Sequence, residues 1–242
     1  IEECFDRSYL KEFTVEAGRP DSITREKLEV LRAHGISRIS INPQTMNQKT
    51  LDIIGRRHTV EQTVDAFHLA RELGFDNINM DLIVGLPGEE YGQVEHTMKE
   101  VTDLDPDSIT VHSLAVKRAA RLNMFKDQYK EMTFTNNQQI MEMTARYAYQ
   151  AGHSPYYLYR QKNMAGNFEN VGYAKPDSAG IYNILIMEEK QSILALGAGA
   201  TSKKVTGELI QRTENVKDIK NYVERIDEMI ERKRLLMETD SQ

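Results

Sequence analysis

The sequence predicts an α/β fold, in which parallel strands form part of a (β/α) barrel and a C-terminal α+β domain follows. Short β-like segments alternate with amphipathic helical segments up to residue 113. Such an alternation implies βαβ units and a parallel sheet. Right-handed crossovers would curve such a sheet into a barrel or a doubly wound layer. Only four units are visible in this stretch, too few to close a barrel. Because the pattern changes after residue 114, we predict two domains, residues 1–125 and 126–242.

The central strand is predicted at residues 77–84, where Ile78, Met80, Leu82 and Val84 alternate with other residues before a Gly/Pro turn. The other predicted strands of this half cover residues 12–17, 37–42 and 108–113. The helices between them are predicted to begin after Ser22 as N-cap, at Asn47, after Thr59 and at Gln93.

In the second half, the spacing of apolar residues predicts helices at residues 136–151 and 216–230 and strands at residues 156–159 and 192–196. Residues 160–182 show no clear period, and a loop of that length is usually functional or mobile. The sequence GAGA at residues 197–200 weakly resembles a phosphate-binding loop, but a tight turn packed on a neighbour is the favoured interpretation.

Composition narrows the class of protein. The chain has 242 residues, 40% of them hydrophobic, and a net charge of -6, which argues against general nucleic-acid binding. No apolar run approaches the ~18 residues of a membrane span, and no signal peptide is visible. A single cysteine indicates a reducing, cytoplasmic setting. Because the chain opens on Ile1 in what reads as the middle of a helix, we expect it to be a piece of a longer protein.

Polar side chains recur near the ends of the predicted strands: Glu16, Gln44, Asp81 and His112. Because the carboxyl ends of parallel strands meet at one edge, the first three could surround a single ligand. Arg56, on the loop after the second helix, could join them, although it could equally be a solvated surface charge. An arginine beside acids and an amide suits a zwitterionic ligand.

Each of these residues also has a purely structural interpretation. Asp81 could cap a local turn in an ordinary βα connection, and Glu16 could form a salt bridge with Arg19 or Arg38. For His112, a hydrogen-bonded histidine in the core is the favoured interpretation.

Several segments resemble one known family, the radical S-adenosylmethionine (SAM) enzymes of the oxygen-independent coproporphyrinogen III oxidase (dehydrogenase) group. Residues 81–89 (DLIVGLPGE) resemble its fifth-strand motif, and residues 38–44 (RISINPQ) resemble its fourth strand, which ends in Gln. Residues 12–17 resemble its third strand. The remaining similar segments are residues 51–58, 196–200 and 159–173, the last of the HemZ type.

The resemblance implies a radical SAM fold and a set of cofactor contacts. The positions that correspond to SAM contacts of the family are Glu16, Gln44, Arg56, Asp81 and Ala115. The implied reaction is oxidative decarboxylation of the propionates of coproporphyrinogen III to vinyls in haem biosynthesis, through a radical made from SAM. It would also need an electron donor such as flavodoxin or ferredoxin. A haem-binding chaperone or a haem-modifying relative is the alternative.

One departure from the family concerns its [4Fe-4S] cluster, which three cysteines hold in a C-x-x-x-C-x-x-C motif. This chain has only Cys4, which we interpret as a small buried hydrophobic residue. We therefore expect no metal site in this chain, and no activity from it alone.

A tetrapyrrole with four carboxylates needs an apolar floor and cations at the rim. The candidates are cations that follow predicted strands: Lys117, Arg118, Arg121, Arg160 and Lys162. Tyr156, Tyr157 and Tyr159 lie beside the last two in sequence. The alternative is that these cations are solvated surface charges.

Overall fold

The computed structural model describes residues 3–115, 133–160 and 165–238. The chain forms two compact units, Ile1–Ile181 and Tyr182–Gln242. The predicted boundary between residues 125 and 126 lies outside the described residues and stays a prediction.

A six-stranded sheet forms the centre of the first unit, in the order β1-β2-β3-β4-β6-β5. Its strands are β1 Thr14–Gly18, β2 Arg38–Ile41, β3 Ile78–Val84, β4 Ser108–Ser113, β5 Ser154–Tyr159 and β6 Asn170–Ala174. Strands β1 to β4 are parallel, and β6 runs antiparallel to both β4 and β5. The predicted α/β fold with parallel strands is confirmed.

The helices of the first unit are α1 Arg25–Ala33, α2 Gln48–Ile53, α3 Val60–Glu72, α4 Tyr91–Asp103 and α5 Gln138–Gln150. Thr59 caps α3 as predicted, in a capping box with Gln62. The predicted cap of α1 is wrong. Ser22 ends a short 3-10 turn, and the side chain of Thr24 accepts the capping hydrogen bond from the Lys27 N–H at 3.4 Å.

The two faces of the parallel sheet differ in chemistry. On one face, strand residues such as Ile39, Met80 and Ile109 are fully buried in a core that also contains helix residues such as Phe67 and Met98. The other face, which we call the polar face, carries side chains from adjacent strands that alternate with these apolar residues. The polar face includes Glu16, Arg38, Ser40, Asn79, Asp81, Ser108, Thr110 and His112.

The expectation that residues 160–182 lack regular structure is wrong, because β6 lies within them. Strand β6 has the sequence NVGYA, which by itself has little strand character. Its pairing with β4 and β5 decides its conformation. Gly172 permits a close approach here, since a Cβ atom at this position would lie 2.0 Å from Cε1 of Tyr157.

The second unit contains a hairpin that the sequence did not reveal. Strands β7 Thr201–Thr206 and β8 Leu209–Glu214 pair in antiparallel orientation. The predicted strand at residues 192–196 is wrong, because within it only Ile193 forms a bridge, to Lys203. The helices of this part are α6 Ile181–Met187, α7 Ile219–Glu224 and α8 Ile226–Glu238, so the predicted single helix at residues 216–230 is divided. None of the helices in the described part of the chain is long and apolar enough to cross a membrane.

Residues 197–200 form a turn that is held from inside the second unit. The buried Lys233 donates from Nζ to Oδ1 of Asn215 at 2.5 Å, and Nδ2 of Asn215 donates to the Gly197 carbonyl at 2.7 Å. Gly197 and Gly199 both have positive φ angles, of 104° and 73°. These contacts agree with the interpretation of a tight packed turn.

The contact between Gly172 and Tyr157 gives a direct test of the β5–β6 pairing. Gly172→Ala should lower the free energy of unfolding by about 1–3 kcal/mol, because the new methyl group overlaps the tyrosine ring. Gly92→Ala is the matched control, since nothing lies within 4 Å of its Cβ position and alanine favours helix α4. Chemical denaturation measures both. Adding Tyr157→Ala to Gly172→Ala should remove most of the extra cost, and simple additivity of the two changes would contradict the pairing.

Candidate ligand-binding site

The carboxyl ends of β1 to β4 lie at one edge of the sheet because these strands are parallel. Strand β5 also ends at this edge, since it is antiparallel to β6 and β6 is antiparallel to β4. Ala115, just after β4, and Arg160, just after β5, therefore both follow strand ends at this edge. The N–H of Leu114, the residue before Ala115, donates to the Val84 carbonyl at 2.9 Å.

Asp81 lies in β3 on the polar face, with about a fifth of its side chain exposed. Its Oδ1 accepts a hydrogen bond from Nδ2 of Asn79 at 2.7 Å, and its Oδ2 lies 3.7 Å from Nε2 of His112. Burial by itself raises the pKa of Asp81, but interactions with His112, Asn79 and Thr110 bring that pKa below its ordinary value. Asp81 is therefore ionised near neutral pH, and its carboxylate lies on the polar face of the sheet.

Glu16 also lies on the polar face, in β1, where it is in register with Ser40 of β2. Burial of its carboxyl group, followed by repulsion from Asp81, raises the pKa of Glu16. The suggested salt bridge to Arg19 is wrong, because Arg19 pairs with Asp21. Arg38 instead donates to Oγ of Ser108, at 3.0 and 3.1 Å. The structure thus places two carboxylates close enough to repel each other.

Gln44 extends the edge of β2 next to Asp81. Its N–H donates to the Asp81 carbonyl at 3.0 Å, and its carbonyl accepts from the Ile83 N–H at 2.9 Å. Its φ angle is 68°, in the left-handed region that a residue with a side chain rarely adopts. The backbone of Gln44 is therefore fixed beside the acid pair, in a strained conformation of the kind that clusters at functional sites.

Arg56 is half-buried on the loop after α2, where its N–H donates to the Leu51 carbonyl at 2.9 Å. Burial, followed by repulsion from Arg19, lowers the pKa of its guanidinium, and attraction by Asp21 opposes this. Arg19 and Asp21 directly follow β1, so Arg56 also lies toward the carboxyl edge. Among the described residues, none forms a hydrogen bond with this guanidinium, which leaves its donors available to a ligand.

The substrate candidates are only partly visible. Arg160 is about half exposed and forms an ion pair with Glu169. Lys117, Arg118, Arg121 and Lys162 lie outside the described residues, and their roles stay predictions. Tyr157 is packed over Gly172, and burial raises its pKa to about 12, so its hydroxyl stays protonated near neutral pH.

Sequence reasoning missed several residues of the polar face. The favoured interpretation of His112 as a core histidine is wrong, because a third of its side chain is exposed and it faces Asp81. Asn79 and Arg38 are buried on the same face and were not among the candidates. The alternation of β3 could have identified Asn79. Residues two apart in a strand lie on the same face, and Asn79 is two residues before Asp81.

The loop after β3 is anchored through Glu89, another residue that was not a candidate. Glu89 is buried and accepts hydrogen bonds from Oγ1 of Thr45 at 2.6 Å and Nδ2 of Asn47 at 3.1 Å. Burial raises its pKa, which these hydrogen bonds oppose. These hydrogen bonds therefore connect the loop after β2 with the loop after β3, near the carboxyl edge.

Cys4 is exposed, so its interpretation as a buried hydrophobic residue is wrong. Cys4 lies in a turn ahead of β1. Its neighbours Phe5, Tyr9 and Leu10 are exposed too, so Cys4 is not part of a hydrophobic core. Among the described residues there is no group of three or more His, Cys, Asp or Glu side chains that could hold a metal ion.

Comparison with known proteins shows which class of protein the chain resembles. Residues 7–101 match the Radical SAM superfamily, and β1, β2 and β3 lie within that stretch. This stretch therefore resembles a radical SAM domain. The chain also resembles proteins named for coproporphyrinogen III oxidation, as the sequence motifs predicted.

Two relatives from Bacillus subtilis (strain 168) are informative. The oxygen-independent coproporphyrinogen-III oxidase-like protein HemZ is 49% identical over 231 residues, which cover 94% of this chain and 46% of HemZ. The heme chaperone HemW is 41% identical over 110 residues, which cover 46% of this chain and 29% of HemW. The similarity to HemZ thus extends through both units, whereas the similarity to HemW covers under half of the chain.

A solved structure shares the fold. Coproporphyrinogen III oxidase HemN from Escherichia coli, a radical SAM enzyme, superposes with a TM-score of 0.68 at 24% identity. The superposition covers 90% of this chain and 49% of HemN. The chain therefore spans about half the length of both HemZ and HemN.

The iron–sulfur cluster of this superfamily does not fit the residues of this chain. Members use SAM together with a [4Fe-4S] cluster, and cysteine thiolates hold such clusters. The 242 residues contain one cysteine, and a single thiolate cannot replace three.

Anaerobic incubation of this chain with iron and sulfide should therefore give no [4Fe-4S] absorbance near 400 nm above that of the Cys4→Ser variant, the matched control. Iron content per chain, measured after desalting, is the second readout. A stoichiometric cluster in the unmodified chain would contradict the conclusion that its residues cannot hold one.

Proposed function

We propose that this chain forms the SAM-binding and tetrapyrrole-binding part of an oxygen-independent coproporphyrinogen III dehydrogenase. Such an enzyme decarboxylates propionate side chains oxidatively to vinyls in haem biosynthesis. The observation that carries the proposal is the acid pair Glu16 and Asp81 on the polar face, beside Gln44, in a chain 49% identical to HemZ.

The donor set suits SAM, which combines an adenosine with an ammonium, a sulfonium and a carboxylate. Glu16 and Asp81 would accept from ribose hydroxyls or the ammonium, and the guanidinium of Arg56 would pair with the carboxylate. Gln44 would border the ligand with its fixed backbone, and Ala115 would leave room after β4. When SAM is bound and reduced, it supplies a 5′-deoxyadenosyl radical that can abstract hydrogen.

The cluster and its electrons would have to come from residues other than these 242. We propose that this chain alone binds SAM but does not cleave it, because it has one cysteine. In the complete enzyme, a donor such as flavodoxin or ferredoxin would reduce the cluster. The residues of this chain would orient SAM and exclude water around it.

At the substrate end, Arg160 is the described candidate. Its ion pair with Glu169 at the carboxyl edge means that a propionate would have to share or replace Glu169. Because the guanidinium is about half exposed, we expect a modest contribution to affinity. Lys117, Arg118, Arg121 and Lys162 are proposed to supply the further cations that four carboxylates need.

A haem-binding chaperone is the second candidate function. The 41% identity to HemW over 110 residues favours it. The two functions differ in ligand, since haem carries two propionates and coproporphyrin four. Tighter binding of coproporphyrin III than of haem by this chain would favour the dehydrogenase, and the reverse order would favour the chaperone.

Equilibrium dialysis with labelled SAM tests the cofactor assignment. Asp81→Asn keeps the shape of the side chain and removes its charge, so it should raise the dissociation constant for SAM about tenfold. Asp103→Asn is the matched control, since Asp103 is an exposed residue of α4 paired with Lys99. The absence of saturable SAM binding by the unmodified chain would contradict the proposal.

Coproporphyrin III and its tetramethyl ester test the role of Arg160. Arg160→Ala should raise the dissociation constant for the free acid about threefold, because an exposed ion pair contributes little. Binding of the uncharged ester should hardly change. Arg234→Ala, another exposed and ion-paired arginine, should affect neither ligand. Equal losses for both ligands would mean that Arg160 supports the fold and does not contact carboxylates.

A further inference from the structure

His112 is a titratable residue of the polar face to which the family resemblance assigns no role. It lies in β4 next to Ile83 of β3, with a third of its side chain exposed. Its Nε2 is 3.7 Å from Oδ2 of Asp81. That distance is too long for a hydrogen bond but short enough for an ion pair once the imidazole carries a proton.

The two oxygens of Asp81 have different surroundings. Oδ1 accepts the 2.7 Å hydrogen bond from Asn79, which is buried and itself fixed by Ser108 and Thr110. Oδ2 faces His112. Oδ2 is therefore the oxygen that Asn79 leaves to a ligand, and His112 is the neighbour that can compete for it.

The charged and titratable groups around this pair come from strands β1, β2 and β5. Strand β1 contributes Glu16, which repels Asp81, and β2 contributes the buried cation Arg38. Strand β5 contributes Tyr157, which is neutral near pH 7 because its pKa is about 12. With a neutral His112, the two carboxylates exceed the one guanidinium by a single negative charge. Protonation of His112 cancels that excess.

We propose that His112 is a pH-sensitive positioning residue for the cationic cofactor. In its neutral form it leaves Asp81 Oδ2 to the ligand, and in its protonated form it pairs with Oδ2 and weakens binding. The inference rests on the proposed function, and it adds regulation of the same site by pH. Histidine is the side chain that ordinarily changes charge between about pH 5 and 8.

The test compares the dissociation constant for SAM at pH 6.0 and pH 8.0 in the unmodified chain and in His112→Gln. Glutamine keeps a polar side chain but cannot gain a proton. For each protein, the dissociation constant at pH 6.0 is divided by the one at pH 8.0. This ratio should be about fivefold larger for the unmodified chain than for His112→Gln. The amine of SAM and the carboxyl of Glu16 titrate in both proteins, so their effects cancel in the comparison.

Two further variants complete the experiment. His96→Gln removes an exposed histidine of α4 and should keep the ratio of the unmodified chain. His112→Lys places a permanent cation beside Asp81, so its dissociation constant should be high at both pH values. A role for His112 in folding alone would lower affinity equally at both pH values and leave the ratio unchanged.

The outcomes separate the two proposals. SAM binding with the same pH ratio in the unmodified chain and in His112→Gln overturns the role of His112 and leaves the proposed function standing. A lack of SAM binding by the unmodified chain at pH 8.0 overturns both. A ratio that falls in His112→Gln but not in His96→Gln supports the inference.

Discussion

The hydrogen bonds of Asn79 hold the polar face together. Its Oδ1 accepts from Ser108 at 3.0 Å and Thr110 at 3.3 Å, and its Nδ2 donates to Ser40 at 3.3 Å and Asp81 at 2.7 Å. One buried amide thus connects β2, β3 and β4 and uses both donors and both acceptor positions. A buried amide with unmade hydrogen bonds is destabilising, so the register of these strands and the position of Asp81 are fixed together.

The site that results combines stabilising and destabilising contacts. Glu16 and Asp81 repel each other, which raises the pKa of Glu16, and Gln44 adopts a left-handed backbone conformation beside them. Arg38, on the strand between them, offsets part of the negative charge and lowers the pKa of Glu16. Repulsion and backbone strain of this kind persist where the surrounding fold imposes them, and they are typical of ligand sites. The apolar core on the opposite face supplies that support.

Relatives and residues contribute different parts of the functional conclusion. The match of residues 7–101 to the Radical SAM superfamily and the 49% identity to HemZ show which proteins the chain resembles. The geometry adds Asn79 and Arg38, which were not among the predicted site residues, and it places His112 beside Asp81. The one cysteine of the sequence, which is exposed, cannot supply the three thiolates of a cluster. The proposed binding of SAM is therefore separate from its cleavage in this chain.

The sequence by itself determined the parallel strands, the cap at Thr59 and the polar residues at strand ends, because these depend on local alternation and on hydrogen bonds within a few residues. Only the tertiary structure decided that β6 is a strand, since its pairing partners lie far away in sequence. Only the tertiary structure decided the surroundings of His112 as well. The alternation of β4 places His112 on one face of the strand but does not say which residue of the next strand lies beside it. Its position 3.7 Å from Asp81 follows from the register of β3 and β4, and register is a property of the assembled sheet.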